Sequence, residues 1–194
     1  KSGKNVRYFR GNLIFGVWRR NNAAMMLAPM PQLSGQVVTI SNGYPGIKQT
    51  IRAMRELVNQ YKTNLDIRQA ATQAIFLAPA KDDYAEIDAL FRLVQQGIRY
   101  CKDIHQVETL SSPTMTLAQR LGDCDDQSTL LATLLEAVGY PTRFVIAAYQ
   151  APGMYEHVYL QVFCHGDWLD LDPTEQNSIG WSPPGAVSIA VEAV

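Results

Sequence analysis

Through the middle of the chain, apolar residues recur at intervals of three and four. Ile47, Ile51, Met54, Val58 and Tyr61 fall on one stripe, which predicts an amphipathic helix. A second helix is predicted from about Asp66 to Leu77, stopping before Pro79. A third starts near Asp82 or Asp83, either of which can cap it, and carries Ile87, Leu90, Phe91, Val94 and Ile98 on its apolar side. Residues 102–116 read as irregular, with Ser111, Ser112 and Pro113 as breakers. After Gly122-Asp123-Cys124-Asp125-Asp126 the pattern turns helical again. Leu130, Leu131, Leu134, Leu135 and Val138 form the buried side, and Gly139 and Pro141 end the helix. Three strand-like runs follow, Thr142–Tyr149, Glu156–Cys164 and Asp167–Leu171, with turn signals at Pro152-Gly153 and Gly166-Asp167. One helix followed by an antiparallel meander is an α+β arrangement. Near the start, residues 6–18 could hold a strand, residues 23–35 are rich in Met and Pro and suit a loop or extended arm, and Gln36–Ile40 reads as a short strand.

Composition narrows this picture. With 47% hydrophobic and 18% charged residues, the 194-residue chain can bury a core, so disorder throughout is excluded. Apolar runs are short, such as Phe144–Tyr149, and no membrane span is expected. Three irregularly spaced cysteines do not make a disulfide framework. Without a paired CxxC, and with three histidines, a closed zinc site is not expected. Residues 1–20 carry scattered arginines and no clean apolar stretch, so no secretory signal is read there.

The net charge of −1 hides an asymmetry. No Asp or Glu precedes Glu56, while residues 1–55 hold nine basic groups; the remainder has eight basic and 18 acidic groups, a balance of −10. This suggests a basic N-terminal arm with short strands over residues 1–40, ahead of a main domain over 41–194. The arm would meet an acidic partner or fold onto its own body. Nucleic-acid binding is not expected, because no recognition motif accompanies the basic quarter and the sequence pI is near 6.3.

The candidate chemistry centres on Cys124, placed where a helix begins. Unsatisfied N–H groups and the positive end of the helix dipole stabilise a thiolate there, and the same N–H groups can hold an oxyanion. A thiol nucleophile needs a base, and His157 opens a strand 33 residues later. An imidazole in turn needs a group to fix its tautomer. Asp170 and Asp172, on the next strand, are both within reach of an antiparallel neighbour, and spacing alone does not choose between them. Asp123, Asp125 and Asp126 surround the thiol and would oppose its ionisation. As capping and first-turn residues they need not face the sulfur. Cys101 and Cys164 have apolar neighbours and read as packing, His165 as an exposed strand-end residue, and His105 has no evident partner. Trp168 and Trp181 read as core or edge packing, or as groove-lining residues.

The stretches GDCDDQSTLLATLLEAVGYPTRFV, EHVYLQV and WLDLDPT, in this order, resemble the transglutaminase-like superfamily. The resemblance covers about residues 84–175. It implies a papain-like core in which the cysteine helix packs on an antiparallel sheet, with extra N-terminal helices. It implies Cys124 as nucleophile, His157 as base and Asp172 as orienter. It also offers Tyr100 as an oxyanion or substrate contact, because aromatic residues upstream of the nucleophile play that part in some relatives. The wider superfamily includes transglutaminases, peptidases and amidases, so the partner expected is a protein or peptide substrate. The surrounding pattern is most similar to phage- and prophage-encoded members. That adds phage structural proteins as partners of the N-terminal arm, and the cytoplasm of a bacterial host or a virion as the compartment. The function this implies is a thiol hydrolase cleaving a peptide or amide bond; the alternatives are a structural virion or assembly protein with a vestigial triad, or a protein-crosslinking transglutaminase. Bacterial proteinases of the superfamily bind calcium near a Gly-Asp-Cys-Glu-Asp motif. Asp125 stands where that pattern has Glu, and the sequence supplies no further ligands, so no cofactor or metal is expected.

Overall fold

The computed structural model describes residues 4–10, 34–40, 43–102 and 107–194, with backbone alone for 4–10, 34–40 and 107–108. Three helices lead into the core: α1 (Tyr44–Tyr61), α2 (Leu65–Ile75) and α3 (Asp83–Gly97). Asn64 caps α2 through bonds from the Asp66 and Ile67 N–H groups, and Asp82 caps α3 through the Ala85 N–H. The predicted stripes are their inner faces: Ile51, Met54, Leu57 and Val58 on α1, and Ile87, Leu90, Phe91 and Val94 on α3 are all buried.

These helices surround α5 (Cys124–Ala137), which is buried along most of its length. Its interior hydroxyls bond back one turn, Thr129 to the Asp125 carbonyl (2.7 Å) and Thr133 to the Thr129 carbonyl (2.6 Å), so the helix can be enclosed without orphaned donors. Its other side lies on an antiparallel sheet of β6 (Thr142–Ala148), β7 (Tyr155–Cys164), β8 (Asp167–Leu171) and β9 (Ser188–Ala193), in the order β8-β7-β6-β9. Phe144, Ile146, Val158, Leu160, Val162 and Leu171 join the leucines of α5 in one core. The expected α+β class and helix-on-sheet packing are what the structure has.

Two departures from the sequence reading matter for the site. Residues 102–116 are not irregular throughout: β4 (Val107–Ser111) is followed by α4 (Pro113–Gln119). Ser112 is the cap of α4 and Pro113 its first residue, so the pair that reads as a break is a helix start. The meander also gains β9, which pairs antiparallel with β6 on the edge away from β7.

At the front, β1 (Lys4–Arg10) and β2 (Ser34–Ile40) pair antiparallel, and β1 runs parallel to β4. The strand anticipated within residues 6–18 therefore starts at Lys4 and ends at Arg10. Residues 11–33, with most of the Met/Pro-rich stretch, and His105 lie outside the described residues. Among the described residues no helix is long and apolar enough to cross a membrane.

Candidate active site

The start of α5 is built from Gly122-Asp123-Cys124. The pair β3 (Arg99–Tyr100) and β5 (Leu121–Gly122) sets Tyr100 opposite Gly122, and the Gly122 carbonyl accepts from the Cys101 N–H (3.0 Å) and Gln127 Nε2 (3.1 Å). Asp123 then caps the helix, its Oδ1 accepting from the N–H groups of Asp125 (3.1 Å) and Asp126 (3.2 Å). Gly122 is required by close approach: a Cβ there would sit 2.6 Å from Asp126 Cβ. Asp126 is itself fixed, because its Oδ1 accepts the Ser111 N–H at 2.7 Å. Gly122→Ala is therefore expected to destabilise the fold by about 1–3 kcal/mol, read as a lowered midpoint in urea unfolding.

Cys124 opens α5 and is half-buried. Its Sγ–H donates to Asp125 Oδ1 at 3.5 Å. This corrects the expectation that the flanking carboxylates face away: Asp125 faces the sulfur, Asp123 caps, and Asp126 tethers Ser111. Burial first, then the charges of Asp125 and Asp123, push the thiol well above its ordinary range, while a hydrogen bond from the Val158 backbone N–H pulls the other way. The resting group is thus a neutral thiol, not the thiolate that helix position alone suggests. Asp125→Asn removes the negative charge beside the sulfur and replaces one carboxylate oxygen by an amide NH₂. Its expected result is faster alkylation of Cys124 at neutral pH, about tenfold for each unit by which the thiol pKa falls, measured by peptide mapping after iodoacetamide.

Val158 belongs to the strand that carries the base. Its carbonyl accepts from Ser128 Oγ at 3.2 Å, one helical turn beyond Cys124. The N–H and C=O of Val158 thus contact Cys124 and Ser128 respectively and tie β7 to the first turn of α5. A bulge lies just before it: Ala147 pairs with His157 but Ala148 with Tyr155, leaving Glu156 as the extra residue. Tyr155 consequently packs on the helical side, while His157 lies on the other face beside Tyr159, the two rings stacked at 6.1 Å. The Glu156 carboxylate accepts from the N–H groups of Tyr149 (3.3 Å) and Gln150 (3.1 Å), which closes the turn ahead of the bulge.

His157 Nε2 and Asp172 Oδ2 are 2.7 Å apart, and Asp172 is 1% exposed. The second oxygen of Asp172 accepts from the Thr174 N–H (3.0 Å) and Thr174 Oγ1 (2.7 Å). Asp170, the other candidate, accepts from Gln161 Nε2 at 2.7 Å, further along the sheet. Tyr100 is 49% exposed. Cys164 is buried, as expected, and the His165 side chain is half-exposed, but Cys101 is exposed instead of packed. Trp168, partly covered, lies under Arg143 (4.0 Å) at the sheet edge. Sequence reading missed Ser128, Val158 and Thr174. Of these, only Thr174 carried a signal, as the third residue of Asp-Pro-Thr.

Asp123, Cys124 and Asp125 bring donor atoms within 4.8 Å of one another. Two carboxylates and a thiol, already engaged by helix N–H groups and by each other, do not supply the six to eight oxygens that calcium takes.

A helix that opens on a half-buried thiol and packs on an antiparallel sheet, with His157 on β7 and Asp172 just past β8 paired beside it, is the papain-like fold. The chain belongs to the transglutaminase-like superfamily, whose family profile matches residues 69–173. No curated protein sequence matches it. Among solved structures it is similar to a candidate protease of Parabacteroides distasonis (TM-score 0.54, 9% identity, covering 91% of this chain and 38% of that one). It is also similar to calcium-bound LapG of Legionella pneumophila (0.49, 22%, 70% and 80%). A candidate cysteine protease of Cytophaga hutchinsonii gives 0.46, 16%, 66% and 46%. The chain spans less than half the length of the Parabacteroides and Cytophaga proteins.

Proposed function

We propose that this protein is a thiol hydrolase that cleaves a peptide or amide bond, with Cys124 as nucleophile, His157 as base and acid, and Asp172 as orienter. The observation that carries the reading is the 2.7 Å His157–Asp172 pair on the strand whose next N–H bonds the Cys124 sulfur. Because Nε2 is committed to Asp172, Nδ1 is the nitrogen available to the thiol. Since the thiol rests neutral, deprotonation accompanies attack: Nδ1 takes the proton as sulfur adds to the carbonyl carbon. The Cys124 N–H, at the positive end of α5, stabilises the developing oxyanion. Imidazolium then gives its proton to the leaving amine, which departs as the C–N bond breaks. Water, deprotonated by the same nitrogen, releases the acyl group as a carboxylic acid and regenerates the thiol. An amine in place of water would make the same steps a transglutaminase reaction. Tyr100, opposite Gly122, is assigned to substrate contact. Phage or prophage origin, with virion proteins as partners of residues 1–40, belongs to the same reading; adjacent capsid or tail genes would support it.

One observation favours the rival, a structural protein with a silent site: the sulfur is hydrogen-bonded to a carboxylate and raised in pKa. Simple alkylation does not separate the two readings, because Cys101 is exposed and labels first. A peptidyl vinyl sulfone does, because it needs a bound pose and an imidazole. Adduct at Cys124 ahead of Cys101, lost in His157→Ala, supports the hydrolase. Labelling at Cys101 alone supports the silent site.

A further inference from the structure

A second cluster of reactive side chains lies at the far end of β7. Cys164, the last residue of that strand, pairs with Asp167, so β7 and β8 are joined by the two-residue loop His165-Gly166. Both loop residues have positive φ, 53° and 90°, as a type I′ turn demands. Glycine would fill the first position with less strain than histidine. The imidazole placed there is turned onto α3: His165 Nε2 lies 3.1 Å from Asp83 Oδ2, and the ring lies tilted against Tyr84 with centroids 5.2 Å apart. Cys164, buried beneath, completes the group, and donor atoms of Asp83, Cys164 and His165 all lie within 4.8 Å of one another. The Tyr140 hydroxyl shares its one proton between the other oxygen of Asp83 (3.2 Å) and Glu86 (2.7 Å).

We propose that Asp83, Cys164 and His165 bind a zinc-class divalent cation that joins the start of α3 to the β7–β8 hairpin. One nitrogen, one sulfur and one carboxylate oxygen are the donors that such a borderline ion takes. Tetrahedral zinc with bonds of about 2.0–2.3 Å sets its ligands roughly 3.3–3.8 Å apart, so the half-exposed His165 and Asp83 side chains need shift by only about an ångström. Tyr140 supplies the outer hydrogen bond that orients a ligating carboxylate. Three protein donors leave a fourth position for water. The absence of a paired CxxC argues against a closed site but not against this open one, whose ligands Asp83 and Cys164 lie 81 residues apart in sequence. Seven residues of strand separate it from His157, about 23 Å, so it is distinct from the candidate active site.

Cobalt is the probe. To remove the other buried thiol that could take the metal, the full chain carrying Cys124→Ala is stripped with chelator and titrated with Co²⁺. The expected result is one equivalent bound, with a thiolate-to-cobalt charge-transfer band and the visible absorption of tetrahedral Co²⁺, both erased by Zn²⁺. His165→Asn, which the turn accommodates, should weaken binding at least tenfold, and Cys164→Ser should abolish the charge-transfer band. No band in the parent, an unchanged band in Cys164→Ser, or unchanged affinity in His165→Asn would each overturn the proposal.

Discussion

Replacing Cys124 by alanine is expected to bring peptide or amide cleavage down by a factor on the order of 10⁵–10⁶. The nucleophile is the first residue of a buried helix, and nothing at that position can substitute for it. The residual rate should come from the α5 N–H groups, which would still polarise a bound carbonyl toward attack by water. Because removing one sulfur leaves the caps at Asp123 and the Ser128–Val158 link in place, the variant should fold, with its far-ultraviolet circular dichroism and urea midpoint close to those of the parent. Cys101→Ser, at an exposed position, should retain activity. Cleavage by Cys124→Ala within tenfold of the parent rate would remove the proposed function and leave the fold assignment intact.

The elements around the site were legible to the extent that their signals were local. The stripes of α1 and α3, the Asp82 cap and the Gly139 stop, whose φ is 101°, are short-range patterns, and the structure repeats them. Cys124 at a helix start is likewise local, since Asp123 is a strong capping residue. What escaped was non-local or ambiguous. Ser112-Pro113 has the same composition as a break and as a helix start, and only the Met115 N–H returning to Ser112 decides. Strand β9 follows a long connection and alternates weakly, so its place beside β6 follows from the open sheet edge and not from its own pattern. The upward shift of the Cys124 thiol was only partly legible, because a helix terminus and the neighbouring aspartates are local cues, whereas burial among the core residues and the rotamer of Asp125 are set by tertiary packing. The choice between Asp170 and Asp172 depends on which strand position reaches beyond the end of β8, which periodicity of two cannot tell.

The second large effect concerns that choice. Asp172→Asn should lower kcat by about 10³–10⁴, the loss seen when the orienting carboxylate of a hydrolase triad becomes an amide, with KM little changed. The reason lies in the donors that Asp172 serves. The Thr174 N–H cannot become an acceptor, and it sits 3.0 Å from one carboxylate oxygen with the Thr174 hydroxyl at 2.7 Å. An asparagine at 172 will therefore give its oxygen to Thr174 and turn its NH₂ toward His157. An NH₂ facing Nε2 selects the tautomer protonated at Nδ1, which has no lone pair to receive the thiol proton. Thr174→Val is the graded control. It deletes one of the two donors and keeps the shape, so it should lower kcat less than Asp172→Asn while leaving the tautomer unchanged. Asp170→Asn loses a bond to Gln161, on a part of the sheet away from the imidazole, and should stay within a few-fold of the parent. The tautomer can be read directly from ¹⁵N shifts of His157, predicted to be protonated at Nε2 in the parent and at Nδ1 in Asp172→Asn. If Asp170→Asn proved the more damaging of the two, or if the shifts did not move, the imidazole would be oriented by something other than Asp172.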